Sequence, residues 1–373
     1  MIFSISGLVM AGLQANQHFT LPAMAPVLYN VGQIFGLLIL APEGGFALGP
    51  VTLPGLGLGI RGLVYGVIVG ALLHLGIQIP GLIKYRFRWV PVIGLRTAGV
   101  RQVLRLLGPR VLTMFFIQLF FITRDNLASG MGEGAVTALN YGWFIMQVPE
   151  TLIGTAIAIA ILPTLSELVV RGDDDAFRDT LNRAVRVMLA LTIPAAGLLA
   201  VGVRPLIGIL GFDEAGMTMV VLATRAYLLG LAGHALLEIG ARSFYARQDA
   251  ITPLFAAFLN AVGYVVFAIV FSRLWGHTGI AIANSLAFTL EAALLLWLMS
   301  RRVPGIFEVR GTVLRVVGAV VAGGGVVYLL LAFLPPGSWP VAACTLAAAG
   351  VLVVGGAATL PFIWPEVKVL ARL

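Results

Sequence analysis

Apolar blocks of about 20 residues dominate this sequence and constrain its fold more than any other feature. A helix of that length crosses the hydrocarbon layer of a membrane, which is about 30 Å thick. Of the 373 residues, 60% are hydrophobic and 11% are charged, more apolar surface than one soluble core can bury. The sequence therefore predicts an all-α integral membrane protein with about eleven transmembrane helices. The eleven blocks lie at roughly 1–15, 21–41, 60–83, 103–128, 136–164, 185–203, 216–241, 251–272, 278–300, 312–334 and 340–363.

The basic residues are distributed unevenly between the loops. If the chain alternates sides, 19 of the 24 Lys and Arg residues fall at one membrane face, and Arg61, Arg204 and Arg273 fall at the other. Basic loops stay in the cytoplasm, which predicts an external amino terminus and a cytoplasmic carboxyl terminus. The net charge of +8 is then a topology signal, and no nucleic-acid partner is expected. The 19 residues lie in the segments 84–110, 171–186, 242–247, 301–315 and 368–372.

Residue patterns typical of enzymes are missing from the sequence. Cys344 is the single cysteine, and the four histidines do not share metal-ligand spacing. The segment GLGIRG has the GxGxxG spacing of a dinucleotide loop but is not part of a βαβ unit. We therefore expect no enzyme activity, no cofactor and no metal site.

Two further patterns have structural interpretations. Gly62, Gly66 and Gly70 repeat every four residues, which places them on one helix face and predicts close helix packing. The acidic run 173–175 precedes Arg178 and Arg183, the charge order that a helix dipole prefers. The acidic run is thus expected to begin a short cytoplasmic helix rather than to bind magnesium.

Ionisable residues inside the apolar blocks are costly and need an explanation. Arg124 and Asp125 lie near the outer end of their block, where snorkelling to the headgroups is expected. Arg225 could orient a helix or line a cavity. Glu238 is expected to reach headgroups or Arg242. Glu291 lies mid-block and is expected to face protein.

The segment NYGWFIMQVPETLIG places Glu150 beside a proline inside an apolar block. A proline removes a backbone hydrogen bond and bends the helix, and such broken helices line cavities within membranes. Depth counted from the connecting loop puts Gln147 level with Gln118 on the preceding helix, and puts Arg110 within reach of Glu150. The alternative to an Arg110–Glu150 pair is that the Arg110 side chain snorkels to the cytoplasmic surface.

An internal repeat relates the two ends of the apolar region. The segment from Gln14 matches that from Tyr245 at a constant offset, and Gly59–Ile60 resembles Gly279–Ile280 farther on. The second copy follows four blocks and the first copy follows one. Two lobes built alike would therefore leave three helices of the first lobe outside this sequence.

Four segments together resemble the MurJ/MviN family of lipid II flippases, which belongs to the multidrug/oligosaccharidyl-lipid/polysaccharide exporter group. They are QANQHFTLPAMAPVLYN, GEGAVTALNYGWFIMQVPETLIG, ILPTLSELVVRGD and TRAYLLGLAGHALLEIGARSFYARQDAITP. The resemblance implies two six-helix lobes around a cavity, plus two helices that form a lipid groove. It implies a partial first lobe at 1–95, a second lobe at 96–300 and the extra helices at 301–373.

The resemblance also implies a function. A member would carry an undecaprenyl-pyrophosphate-linked peptidoglycan precursor, lipid II, across the bacterial inner membrane by alternating access, in contact with membrane lipids. Where the family has an arginine after the tyrosine pair, this sequence has Phe144, and Trp143 stands where an acid is common. The alternatives are therefore a non-transporting homologue that acts as a scaffold or lipid-binding partner, and an exporter of another polysaccharide lipid. The six cavity candidates are Arg110, Gln118, Phe144, Gln147, Glu150 and Arg225.

Overall fold

The computed structural model describes residues 2–16, 18–48, 51–85, 87, 98–305, 310–333 and 340–370. The side chains of 46–48, 51, 98–99, 101–106, 108–110, 113, 310 and 370 are not described. The chain divides into two compact units, Met1–Thr97 and Ala98–Leu373. The sequence-based division at 95 and 300 stays a prediction.

The described part of the first unit contains four α-helices and one short hairpin. Helix α2 (Thr20–Phe35) continues into a π-helical turn, Gly36–Leu40, before the antiparallel strands β1 (Phe46–Leu48) and β2 (Val51–Leu53). The glycines predicted to favour close packing do so, because a Cβ built on Gly66 would lie 2.6 Å from the Gly36 Cα. The elements are α1 (Ile2–Ala15), α2 (Thr20–Phe35), β1 (Phe46–Leu48), β2 (Val51–Leu53), α3 (Ile60–Gly76) and α4 (Ile79–Lys84).

The second unit is built from nine helices in its described part. Each of the last eight predicted apolar blocks falls on one or more of these helices. Helices α12 (Arg310–Ala332) and α13 (Val341–Leu370) pack on α8 (Asp174–Ile207). They are α5 (Ala98–Ser129), α6 (Ala135–Pro149), α7 (Ala156–Arg171), α8 (Asp174–Ile207), α9 (Glu214–Leu228), α10 (Leu231–Ala246), α11 (Ile251–Arg302), α12 (Arg310–Ala332) and α13 (Val341–Leu370).

The predicted fold class, an all-α membrane protein, is confirmed. Among the described residues, seven helices are long and apolar enough to cross a membrane. The pair α9 and α10, bent by 40°, makes an eighth candidate if it forms one span. The number of crossings and their direction stay predictions.

Helix α11 contains two of the predicted blocks, joined by a sharp break. Trp275 and Gly276 leave the helical backbone, and Gly276 has φ 57° and ψ −139°, a conformation that favours glycine. We call 251–274 the first arm and 277–302 the second arm. The side chain of Asn260 bonds Glu291 and that of Arg302 bonds Thr252, so the two arms run antiparallel.

The break also refines the internal repeat. Gly59, the residue before α3, has φ 53° and ψ −133°, almost the same backbone conformation as Gly276. Helices α2 and α11 begin at Thr20 and Ile251, in agreement with the sequence offset. The structural equivalent of Gly59 is therefore Gly276 rather than Gly279.

Polar side chains fix the ends of the long helices. Asp173 caps α8 by accepting a hydrogen bond from the Ala176 backbone N–H at 2.9 Å, so the acidic run begins a helix as predicted. That helix is not short, because it continues without a break into the apolar block and ends at Ile207. The Asp249 carboxylate accepts hydrogen bonds from the Thr252 N–H and hydroxyl. It also forms an ion pair with Arg302 at 2.8 Å. This network joins the two free ends of the α11 arms.

Candidate functional site

A pocket inside the second unit combines aromatic walls with buried polar groups. It is bounded by helices α5, α6, α9 and α11 and contains about 390 Å³ of empty space. We call it the aromatic pocket. Its lining residues are Ile117, Phe120, Phe121, Arg124, Trp143, Tyr227, Tyr264, Asn284 and Phe288.

Arg124 supplies the positive charge of the aromatic pocket. Its Nε donates to Asp125 Oδ1 at 2.9 Å, and a terminal nitrogen donates to Asn140 Oδ1 at 2.6 Å. The guanidinium also lies 5.0 Å from the Phe121 ring centroid, a cation–π distance. Only 6% of Arg124 is exposed, so the expectation that it snorkels to the headgroups is wrong.

An imidazole held by an amide lies beside the aromatic pocket and contacts three of its lining residues. His234 Nε2 lies 3.1 Å from Asn284 Oδ1, and its ring stacks on Phe288 with centroids 4.0 Å apart. The Trp143 ring meets the same imidazole edge-on at 5.4 Å. The sequence separates these residues widely, so their convergence was not predicted. Because Asp125 offsets the charge of Arg124, the pocket offers directed donors and aromatic faces rather than a large net charge.

Glu150 is buried beside a second group of charges. It is 8% exposed and begins a π-helical segment, Glu150–Thr155, that follows Pro149. Its carboxylate accepts from the Thr155 hydroxyl at 3.3 Å and from the Thr151 hydroxyl at 3.4 Å. Glu238 and Arg242 of α10 lie within electrostatic range. Glu238 and Arg242 form an ion pair, which is one of the two alternatives expected for Glu238.

The other cavity candidates do not converge on Glu150. Phe144 is 63% exposed, Gln118 is exposed and Gln147 is half-buried. Arg225 is exposed, and its Nε donates to the Ala200 carbonyl at 2.7 Å. The side chain of Arg110 lies outside the described residues, so its pairing with Glu150 stays a prediction.

Metal-ligating side chains do not cluster among the described residues. That part of the chain contains no group of three or more His, Cys, Asp or Glu side chains that could hold a metal ion.

The sequence model of the lipid II flippase MurJ family matches residues 1–346. The chain belongs to the MurJ family. The family resemblance predicted from the four motifs is thus confirmed. The chain is 33% identical over 315 residues to the lipid II flippase MurJ of Burkholderia cenocepacia, which covers 82% of this chain and 58% of that protein. It is 29% identical over 281 residues to a probable lipid II flippase MurJ of Vibrio cholerae, covering 74% and 51%. The chain thus spans between half and two thirds of the length of these MurJ relatives.

Solved structures support the same fold. A lipid II flippase MurJ in an inward closed conformation matches with a TM-score of 0.77 at 20% identity, over 98% of this chain and 72% of that one. The Vibrio cholerae MATE transporter VcmN in its bent form matches with a TM-score of 0.50 at 17% identity, over 73% and 68%. At these identities the likeness concerns the MurJ fold alone. The chain is a multi-pass membrane protein of a transporter family.

Proposed function

We propose that this chain acts in moving lipid II, the undecaprenyl-pyrophosphate-linked peptidoglycan precursor, across the bacterial inner membrane. The observation that carries the proposal is the family match over 1–346, because it includes nearly all of both described units. The mechanism would be alternating access, in which a substrate site opens to one membrane face at a time. The carboxyl terminus lies in the cytoplasm, as the basic loops indicate.

Features of the second unit support a moving rather than a static lobe. π-Helical segments occur frequently at functional sites, and the one at Glu150–Thr155 carries a buried carboxylate. Buried ionisable groups within a membrane span generally mark a transport path or a relay. Gln147 and Phe144 lie on the more exposed side of α6, and we assign them to contact with the substrate.

A non-transporting homologue is the second candidate, and one observation favours it. Phe144 is exposed where the family has an arginine that suits a pyrophosphate. A phenyl ring cannot donate hydrogen bonds to a phosphate oxygen. The chain would then act as a scaffold or lipid-binding partner in the same membrane.

Growth of a bacterium depleted of its own lipid II flippase separates the two candidates. Three genes would be compared: the chain alone, the Burkholderia cenocepacia relative with its 315 matched residues replaced by this chain, and that chimera with Phe144→Arg. The flippase proposal predicts that the unmodified chimera supports growth. Growth with Phe144→Arg only would establish the non-transporting candidate. Failure of every version, with each present in the membrane, would reject the flippase role.

A further inference from the structure

A groove between the two arms of α11 contains two buried polar side chains that face each other. It contains about 530 Å³ of empty space. Asn260 of the first arm is 6% exposed and Glu291 of the second arm is 7% exposed. Each lies near the middle of its arm, and the rest of the groove wall is apolar, including Leu259, Phe267 and Leu294. The groove is separate from the aromatic pocket and from the Glu150 cluster.

The hydrogen bonding of the pair is incomplete in one specific way. Asn260 Nδ2 donates to Glu291 Oε2. Asn260 Oδ1 is fully buried and has no hydrogen-bond partner among the described residues. An ionised carboxylate can only accept hydrogen bonds, so it cannot satisfy this oxygen.

A protonated carboxyl group would complete the pair. Its carbonyl oxygen accepts from Nδ2 while its O–H donates to Oδ1, which gives a cyclic carboxylic acid–amide pair with two hydrogen bonds. Rotating the Asn260 amide by 180° leads to the same conclusion. Oδ1 would then face Glu291 Oε2, and two acceptors need a proton between them.

The surroundings of the pair favour a neutral form. An unpaired carboxylate in an apolar environment is very costly, and a charge at mid-membrane adds to that cost. Helices α5, α6, α9 and α10 pack against α11. Among their described residues, the titratable neighbour of Glu291 is Tyr245, in the last turn of α10. The phenol is 49% exposed and carries no positive charge that could hold a carboxylate ionised.

We propose that Glu291 is a reversible proton-binding site, with Asn260 as its positioning partner. In the bound state one proton from water converts the carboxylate to a carboxylic acid, whose O–H donates to Asn260 Oδ1. In the released state the proton returns to water past Tyr245, and the carboxylate keeps only the bond from Nδ2. Loss of one of the two bonds weakens the contact between the α11 arms. That this proton drives substrate movement rests on the proposed flippase function, whereas the binding itself does not.

Infrared spectroscopy of the full chain in detergent tests the site. We expect a carboxylic-acid carbonyl band that disappears in Glu291→Gln and that weakens reversibly at alkaline pH. In Asn260→Leu the band should move to higher frequency, because its carbonyl oxygen loses the Nδ2 donor. Glu150→Gln is the matched control, a second buried carboxylate whose removal should leave this band unchanged.

Chemical labelling gives an independent measurement. A hydrophobic carbodiimide reacts with protonated carboxyl groups in apolar surroundings, so peptide mass spectrometry should find Glu291 modified at neutral pH and less modified at alkaline pH. Glu291→Gln is isosteric and should keep the melting temperature of the parent chain, which shows that any lost signal is local. An unchanged acid band in Glu291→Gln, or an unlabelled Glu291 at every pH, would overturn the proposal. Neither measurement requires transport, so the proton site and the flippase role can fail separately.

Discussion

Arg124 stabilises the second unit because its guanidinium donates a hydrogen bond to the side chain of Asn140. No other described side chain donates to that amide oxygen. In Arg124→Met the side-chain oxygen of Asn140, Oδ1, loses its charged donor, which should lower the free energy of unfolding by about 1–3 kcal/mol. Asp125 adds little to this cost because its side chain is 47% exposed and stays hydrated. The measurement is thermal unfolding in detergent. Arg225→Met is the matched control, since Arg225 is exposed and bonds one backbone carbonyl. Equal losses in the two variants would contradict a buried role for Arg124.

Asp249 makes stability depend on pH at the free ends of the α11 arms. Burial raises the pKa of Asp249, but bonds from the Thr252 N–H and hydroxyl and from the Arg302 guanidinium outweigh it and hold the pKa at about 2. A lowered pKa in the folded state stabilises the protein above the ordinary aspartate value of about 3.9, and this stabilisation is lost as the pH falls through about 2. The melting temperature of the parent chain should therefore exceed that of Asp249→Asn at neutral pH. The difference should shrink below about pH 4. A melting-temperature difference that stays constant across this range would show that the charge of Asp249 does not contribute to stability.

At the scale of elements, close packing of α2 on α3 depends on glycines. A side chain at Gly66 would meet the Gly36 backbone at 2.6 Å, so Gly66→Val must push the two helices apart. Overpacking of this kind costs about 1–3 kcal/mol. Gly12→Val is the control, because a Cβ at Gly12 meets nothing within 4 Å. Thermal stability of the full chain should fall with the first change and much less with the second. Equal sensitivity would mean that the glycines do not set the helix distance.

The elements themselves were largely predictable, because an apolar run reports a helix through local composition. The two arms of α11 and the start of α8 at Asp173 follow from such local signals. The π-helical segments and the 40° bend between α9 and α10 did not follow, since they depend on which neighbours pack against the backbone. The short β1–β2 hairpin was not predicted, because three-residue strands are too short to show a periodic pattern in the sequence.

At the scale of the whole molecule, few of the contacts between distant residues could be predicted from the sequence. Glu291 was correctly expected to face protein, because a mid-span charge has few alternatives. The exposure of Arg124 was predicted wrongly, because nearness to a helix end does not show that α6 and α9 pack against the side chain and bury it. The aromatic pocket joins residues from 117 to 288, and packing of several helices creates it. The proximity of Glu150 to α10 likewise could not be predicted, because it depends on how the helices of the unit pack together.

Membrane topology is a prediction about the entire chain. The loop charges place 129 outside and 174 inside, with Cys344 toward the outer side. After Cys344→Ala, single cysteines at Ser129 and Asp174 would be treated with a membrane-impermeant thiol reagent in intact cells. Ser129→Cys should react and Asp174→Cys should react only after the cells are opened. The reverse pattern would invert the topology.

Exposure of lipid II at the outer leaflet tests the flippase account most directly. Spheroplasts of the depleted strain would carry the chimera of the Burkholderia cenocepacia relative and this chain, and an externally added enzyme would cleave the lipid pyrophosphate linkage. The account predicts that the cleaved fraction of lipid II returns to the level of undepleted cells. Lipid II that stays protected from the enzyme, in cells whose membranes contain the folded chimera, would contradict it.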